Sequence, residues 1–515
     1  MMPRLLFAGA GALLIAGCAT PPPGGAHLTS AEPRACLEWF DHLDAAVRRA
    51  GTADAQEARI ENHPHLRANR FAAALAQDPL VSDLEFGHDV LPRLRALDRA
   101  ARATEISNLP AQALPELGLT RAQALLRSEQ CAALLLAAQR PDRAAIQVPD
   151  DYSDTLRLLG AYALARHPFT AGVTQQLAEV SAAFAKPLGV PAGGRVQRYA
   201  GVGSTADAAA VDPLANSVTP QASALLDRHQ PVFEIEITGD DDLPGALAWD
   251  PMRDAPIVQR EQPTVYRHID FTRYRGHTLT QLVYTVWFGA RPANAPGDLL
   301  AGHLDGLIWR VTLGADGGAL IHDTIHPCGC YHYFIPTPRA RPIPAPDDEP
   351  EWAFVPQTVR QLQPDERIVL RIATRTHSLE RVTIEAREQA QRGATPLRAL
   401  AQERLRTLPI LGAPRGATRS AYGPDGLAPG TERLERFLFW PMGIASAGQM
   451  RQWGRHATAF VGRRHFDDAD LFEKRFALEL DDPGAAPQGP AAPPMAAPAD
   501  AAARPGGATS ARIGL

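Results

Sequence analysis

The hydrophobic periodicity of this chain changes once along its length, and that change constrains the fold more than any other feature. Before about residue 190, apolar side chains recur at helical spacing. One such face carries Cys36, Phe40, Leu43 and Val47. From about residue 230, apolar residues instead alternate with their neighbours at a period of two, which is typical of strands. The sequence therefore predicts an α+β protein whose helices precede its strands.

Strand-like runs dominate the second half of the chain. The runs at 264–274 and 278–288 flank Arg275-Gly276, and a further hairpin is expected at 367–385, so we predict a meander of antiparallel hairpins. The expected organisation is a mostly helical domain at 30–190, a linker at 191–224, an antiparallel β-rich domain at 225–395, a mixed helix and loop region at 396–480 and a disordered Ala/Pro/Gly tail at 483–515.

The amino terminus has the pattern of an export signal. Arg4 precedes an apolar run at 5–16, which is shorter than the roughly 20 residues that a membrane-spanning helix needs. The run ends in Ile15-Ala16-Gly17-Cys18, which resembles the lipobox of bacterial lipoproteins. The resemblance covers residues 1–18 only. It implies that a signal peptide at 1–17 is removed, that Cys18 carries the lipid (palmitate or a similar acyl chain), and that 18–29 is a linker.

The same resemblance gives the expected location. Lipidation of Cys18 would anchor the protein in a membrane of the cell envelope, because several acyl chains on one residue bind stably to a bilayer. Ala19, the residue after the lipidated cysteine, points to the outer membrane and a protein that faces the periplasm. Envelope protein partners are possible in this setting, but no sequence feature identifies one. The alternative is an ordinary secreted protein that is cleaved nearby and loses Cys18.

Charge argues against one class of partner. The chain has 52 Lys and Arg residues against 57 Asp and Glu residues, so its net charge is −5 at pH 7. No overall positive field is present to attract a phosphate backbone. We therefore expect no binding to nucleic acid.

Four cysteines remain after Cys18, namely Cys36, Cys131, Cys328 and Cys330. An even number of cysteines in an oxidising compartment permits two disulfides, and the sequence leaves three pairings open. The simplest pairing joins Cys36 to Cys131, one from each of two early helices. Cys328 and Cys330 would then form either a second disulfide or a pair of thiols.

Residues 322–332, with the sequence HDTIHPCGCYH, hold the densest group of reactive side chains. All the metal-ligating residues lie at even positions: His322, His326, Cys328, Cys330 and His332. Alternate residues of a strand face one side, about 6.5 Å apart, so a straight strand cannot bring them all to one ion. A bend at Pro327 and Gly329 could bring the last four together as a site for zinc or copper.

The leading hypothesis is that the β-rich domain binds such a transition metal; no other cofactor is expected. Asp305 precedes a strand that should pair with the strand of His322, so its carboxylate could hold a ligand histidine. Two other functions stay open. One is a non-catalytic envelope scaffold whose cysteines only stabilise the fold, and the other is an envelope thiol–disulfide or cysteine enzyme. Whether the protein is an enzyme is not decided at this point.

Overall fold

The computed structural model of the protein describes residues 31–201, 220–346, 349 and 351–480. The expected signal peptide, Cys18 and its linker, and the tail at 483–515 lie outside the described residues, as does most of the expected linker at 191–224. Within the described part, a helical region precedes one mainly antiparallel sheet and one mixed sheet, which confirms the α+β class.

Helices make up most of the amino-terminal region. They are α1 (Ala31–Ala50), α2 (Arg70–Gln77), α3 (Asp83–Glu85), α4 (Leu91–Asn108), α5 (Leu114–Leu117), α6 (Arg121–Ala138), α7 (Asp154–Leu159) and α8 (Tyr162–Ala185). The helix α6 begins at a capping box, because Thr120 and Gln123 each accept the other's backbone N–H with a side-chain oxygen. The expected Cys36–Cys131 disulfide joins α1 to α6 and lies in a shared apolar core.

The helical region contains one hairpin that the sequence pattern does not predict. It consists of β1 (Ala58–Ile60) and β2 (His63–Ala68), which pair antiparallel. The strand β2 buries a charged residue, Arg67, whose guanidinium forms ion pairs with Asp98 and Glu105 on α4. Because that buried position is charged, the strand lacks the apolar alternation by which strands are recognised.

Strands form most of the remaining regular structure. They are β3 (Arg195–Ala200), β4 (Val232–Ile237), β5 (Ala246–Asp250), β6 (Ala255–Gln259), β7 (Thr264–Tyr274), β8 (His277–Arg291), β9 (Gly302–Leu313), β10 (Ala319–Ile325), β11 (Tyr333–Pro336), β12 (Ala340–Pro342), β13 (Glu366–Ile372), β14 (Leu379–Ala386), β15 (Thr395–Pro396), β16 (Arg398–Ala401), β17 (Leu408–Pro409), β18 (Thr418–Arg419) and β19 (Phe476–Leu478). Helices α9 (Pro220–His229), α10 (Arg387–Gln391), α11 (Arg436–Phe439) and α12 (Leu471–Arg475) lie among them. The strand β3 falls inside the expected linker.

The larger sheet contains six strands in the order β11-β10-β9-β8-β7-β16. The strands from β7 to β11 form the predicted antiparallel meander, and β16 adds parallel to β7. The smaller sheet has the order β14-β13-β4-β3-β15 and contains the predicted hairpin as β13 and β14.

The main core lies between the two sheets. Side chains of the larger sheet, such as Tyr284 and Trp309, share one buried cluster with Phe233 and Leu370 of the smaller sheet. The region after β16 has little regular structure and packs against the second face of the larger sheet, where Trp453 and Phe466 share a buried cluster with Val283, Ile308 and Ile325. Its strand β19 pairs with β12 in a separate two-stranded sheet. No helix among the described residues is long and apolar enough to cross a membrane.

Candidate functional site

The His/Cys segment is a tight turn rather than a continuous strand. The strand β10 ends at Ile325, and residues 326–332 reverse the chain into β11. Two backbone hydrogen bonds close the turn: His326 N–H donates to Cys330 O at 3.0 Å, and Gly329 N–H donates to His326 O at 2.8 Å. Gly329 has a φ of 92°, and a Cβ there would lie 2.4 Å from Ala457 O, so this position requires glycine.

The turn places the histidines on different faces of the sheet. Antiparallel partners share a face, and Thr324 is the partner of Tyr333. His322 therefore lies on the face of Thr324, and His326, which follows the end of β10, contacts Asp305 on that same face. His332 instead contacts Asp323, on the opposite face. The expected single row of ligands is wrong for His332, because the reversal of the chain changes which positions face the same side.

His326 is held by the carboxylate that the sequence suggested. Its Nδ1 lies 3.1 Å from Asp305 Oδ1, and its buried Nε2 has no hydrogen-bond partner among the described residues. Burial lowers the pKa of His326, although the charge of Asp305 opposes this shift. The ring is therefore oriented by Asp305 and keeps one free nitrogen.

Asp305 is shared with a second histidine that the sequence analysis missed. His377 Nδ1 lies 3.0 Å from Asp305 Oδ2, and its Nε2 lies 3.3 Å from Asp242 Oδ1. Burial acts to lower the pKa of His377, but the two carboxylates outweigh it and the pKa is raised. Burial likewise acts to raise the pKa of Asp305, but His326 and His377 hold it well below its usual value. The four groups form one buried chain of alternating carboxylates and imidazoles.

The backbone around this chain of groups is strained. His377, Leu304 and Tyr331 have φ values of 50°, 52° and 62°, which side chains with a Cβ rarely adopt. Leu304 precedes Asp305, and Tyr331 lies in the turn against the His326 ring, with ring centroids 4.9 Å apart. Strain of this kind is often concentrated at functional sites.

The other two histidines have separate partners. His332 Nε2 lies 2.9 Å from Asp323 Oδ2, and Asp323 is also bound by Arg310. His322 stacks on Trp309 with ring centroids 5.2 Å apart. Burial lowers the pKa of His332 to about 3 and that of His322 to about 4. These rings lie neutral in the core.

Cys328 and Cys330 are free thiols in contact with each other. Cys330 N–H donates to Cys328 Sγ at 3.4 Å. The hydrogen bond between the two thiols and, after it, burial raise the pKa of Cys330 well above its usual value. Arg291 interacts electrostatically with Cys328, and Arg451 interacts with both sulfurs. Cys328 is therefore the sulfur that accepts the Cys330 N–H and interacts with Arg291.

A cavity of about 750 Å³ adjoins the two thiols. Its size falls within the range of small-molecule sites. The helix α8 covers one side, and the turn at 328–333 and residues 435–460 contribute to the others. Most of its wall is apolar, with Phe169, Val173, Leu177, Phe354, Leu438 and Phe460 among the lining residues.

One buried carboxyl group lines this cavity and was not identified from the sequence. Glu435 is 4% exposed, and its carboxyl group has no hydrogen-bond or ion-pair partner among the residues the structure describes. Burial raises its pKa to about 7, although Arg291 and Arg433 oppose the shift. No local motif marks Glu435, His377 or Asp242, because their partners are distant in the sequence.

The expected metal ligands do not form one set. Within the described ranges, no group of three or more His, Cys, Asp or Glu side chains is arranged to hold a metal ion. Binding of zinc or copper by His322, His326, Cys328, Cys330 and His332 therefore stays a prediction.

Comparison with known proteins adds no assignment. No protein-family model matches this chain, and no curated protein or solved structure resembles it significantly.

Proposed function

We propose that this protein is an envelope thiol–disulfide protein, anchored through Cys18, whose Cys328–Cys330 pair exchanges with thiols of molecules that reach the cavity. One observation carries the proposal: the two cysteines left over from the Cys36–Cys131 disulfide are in contact at the wall of an apolar cavity. Free dithiols in an oxidising compartment form disulfides, and labile ones exchange.

The positions of the two sulfurs suggest their roles. Cys328 is buried, whereas Cys330 is partly exposed, so a substrate thiolate reaches Cys330 Sγ of the oxidised pair first. The S–S bond breaks and Cys328 leaves as a thiolate, next to the positive charge of Arg291. A second substrate thiolate then attacks the substrate sulfur of the mixed disulfide. The products are a substrate disulfide and a reduced pair, whose sulfurs take up the protons that the substrate thiols lost.

The spacing of the pair suggests the direction of exchange. A disulfide across one intervening residue is strained, and strained disulfides are the more oxidising ones. We therefore expect a reduction potential of roughly −200 to −120 mV, in the range of thiol oxidants and well above that of structural disulfides.

The experiment is a redox titration in glutathione buffers, on the mature chain with Cys18→Ser. Alkylation of free thiols, read by mass spectrometry, should reveal one two-electron transition at residues 328 and 330. Cys328→Ser should accumulate a mixed disulfide with glutathione on Cys330, because the resolving sulfur is absent. The matched variant Cys330→Ser should accumulate less, because Cys328 is buried.

Two other outcomes would overturn the proposal. A pair that stays oxidised throughout the titration would be a structural bridge, as in the scaffold hypothesis. Thiols that react only after chelation, with about one zinc or copper ion per chain by elemental analysis, would establish the metal site instead.

Metal binding is the second candidate because of one observation. His326 and His332 each have one ring nitrogen on a carboxylate and the other nitrogen buried without a partner among the described residues. Metal-ligating histidines are typically held by a carboxylate in this way. The two free nitrogens lie on different faces of the sheet, so the turn would have to rearrange to bring them together.

A further inference from the structure

The cavity beside the thiols has a long apolar wall. On α8, Phe169, Val173 and Leu177 recur every four residues and therefore line one stripe of the helix. Phe354 and Phe460 contribute to the wall from other segments. An apolar wall of this extent matches the body of an apolar small molecule.

The polar end of the cavity contains a carboxyl group that the protein leaves without a partner. Glu435 is 96% buried, whereas the three other carboxyl groups of the cavity wall are half-buried or exposed, namely Glu351, Glu380 and Glu179. A Cβ on Gly448 would lie 1.9 Å from Glu435 Oε1, so the missing side chain at this glycine makes room for the carboxyl group. An unpaired buried carboxyl group is costly and requires a hydrogen-bond partner.

The charges around Glu435 indicate which partner fits. Arg291 lines the same cavity, and the hydrogen bond from its Nη1 to Tyr331 Oη is long, at 3.3 Å. Arg291 and Arg433 act to lower the pKa of Glu435, and the Asp305 carboxylate acts to raise it. Cys330 and Tyr331 also interact electrostatically with Glu435. A cationic ligand would be repelled by the positive charge of these two arginines, whereas an anionic ligand would be attracted to it, and Arg291 lines the cavity where the two would meet. A protonated Glu435 can donate to that same anion.

We propose that the cavity binds an amphiphile with an apolar chain and a carboxylate end, which pairs with Arg291 and accepts a hydrogen bond from protonated Glu435. Arginine recognises carboxylates through two parallel N–H donors, and the hydrogen bond from Glu435 supplies a third contact. This inference goes beyond thiol exchange and does not require it, because the contacts to the carboxylate do not involve either sulfur.

The pH dependence of binding follows from the proton on Glu435. A carboxylate ligand requires that proton, so the affinity should be highest below neutrality and should fall as pH rises through the pKa of Glu435, which burial raises to about 7. Above that point, the loss should approach about tenfold per pH unit, since one proton is bound with each ligand. A ligand with an ammonium end would show the opposite trend.

The experiment is a calorimetric titration of the mature chain with Cys18→Ser, using dodecanoate, dodecanol and dodecylamine on both sides of neutral pH. Dodecanoate should bind most tightly and should weaken at high pH. Arg291→Gln should lower its affinity roughly ten- to hundredfold. Glu435→Gln should keep binding and abolish the pH dependence, because an amide donates without titrating.

A charge control and a thiol control separate the possible failures. Asp254→Asn removes a carboxylate that is 73% exposed and does not line the cavity, so it should leave the affinity and its pH dependence unchanged. Cys328→Ser/Cys330→Ser should still bind dodecanoate, so failure of the thiol function would leave this result intact. Tighter binding of dodecylamine, dodecanoate affinity that does not change with pH in the unmutated chain, or no binding of dodecanoate would each overturn the inference.

Discussion

Asp305→Asn should destabilise the β-rich region, because one buried carboxylate holds two histidines. The Asp305 side chain is 3% exposed and lies 3.1 Å from His326 and 3.0 Å from His377. Hydrogen bonds to charged groups contribute about 1.5–3 kcal/mol each. Asparagine keeps the shape and one acceptor, so one of the two bonds and the charge are lost. We expect the free energy of unfolding to fall by about 3 kcal/mol, in line with other broken buried pairs.

The substitution should also change how stability depends on pH. The depressed pKa of Asp305 contributes stability above its unfolded value, near 3.8, which is lost as pH falls. The raised pKa of His377 contributes stability that is full below its unfolded value, near 6.5, and is lost as pH rises through the folded value. Both contributions are present together between about pH 4 and 6.5, so the difference between parent and variant should be largest there.

Urea unfolding followed by tryptophan fluorescence measures this effect, since Trp309 lies in the core of the sheet. Asp254→Asn is the matched control, because Asp254 pairs with Arg419 on the surface and is 73% exposed. The reasoning would be refuted if Asp305→Asn cost less than about 1 kcal/mol, or if the difference from the parent did not vary with pH.

Three further predictions concern parts of the molecule outside this chain of groups. Replacing Cys36 and Cys131 by serine removes a cross-link between residues 95 positions apart, which should lower the stability of the helical region by about 4.7 kcal/mol on the chain-entropy model. A loss of less than about 1 kcal/mol in denaturant unfolding would contradict this expectation. Gly329→Ala places a Cβ 2.4 Å from Ala457 O at a φ of 92°, so it should lower the free energy of unfolding by roughly 1–3 kcal/mol and disturb thiol exchange. Unchanged stability and unchanged alkylation rates of the thiols would show that the turn relaxes. His65 is buried, its ring nitrogens have no hydrogen-bond partner among the described residues, and burial lowers its pKa to about 3. Because the folded pKa is depressed, the stability of the protein falls as pH drops below about 6.5, the unfolded value. His65→Leu should therefore unfold at lower pH than the parent in an acid titration followed by circular dichroism.

Local patterns were sufficient for several elements of the fold. The run at 264–274 coincides with β7, and Arg275-Gly276 forms the turn that joins it to β8, because alternation and turn residues act over neighbouring positions. Asp305 was linked to the histidine cluster because consecutive strands of a meander pair with each other. The resemblance at Ile15-Ala16-Gly17-Cys18 is also local, and lipidation of Cys18 stays a prediction because that residue lies outside the described residues.

The candidate site depended on contacts that no local pattern encodes. Whether His332 shares a face with His326 depends on where β10 ends and how many residues the turn takes to reverse the chain. Glu435 and His377 come from segments far from the turn, and only packing places them beside it. Alternation and capping are short-range effects and can be read along the chain, whereas a cavity, a buried unpaired carboxyl group and a shared carboxylate arise only when distant segments pack and exclude water.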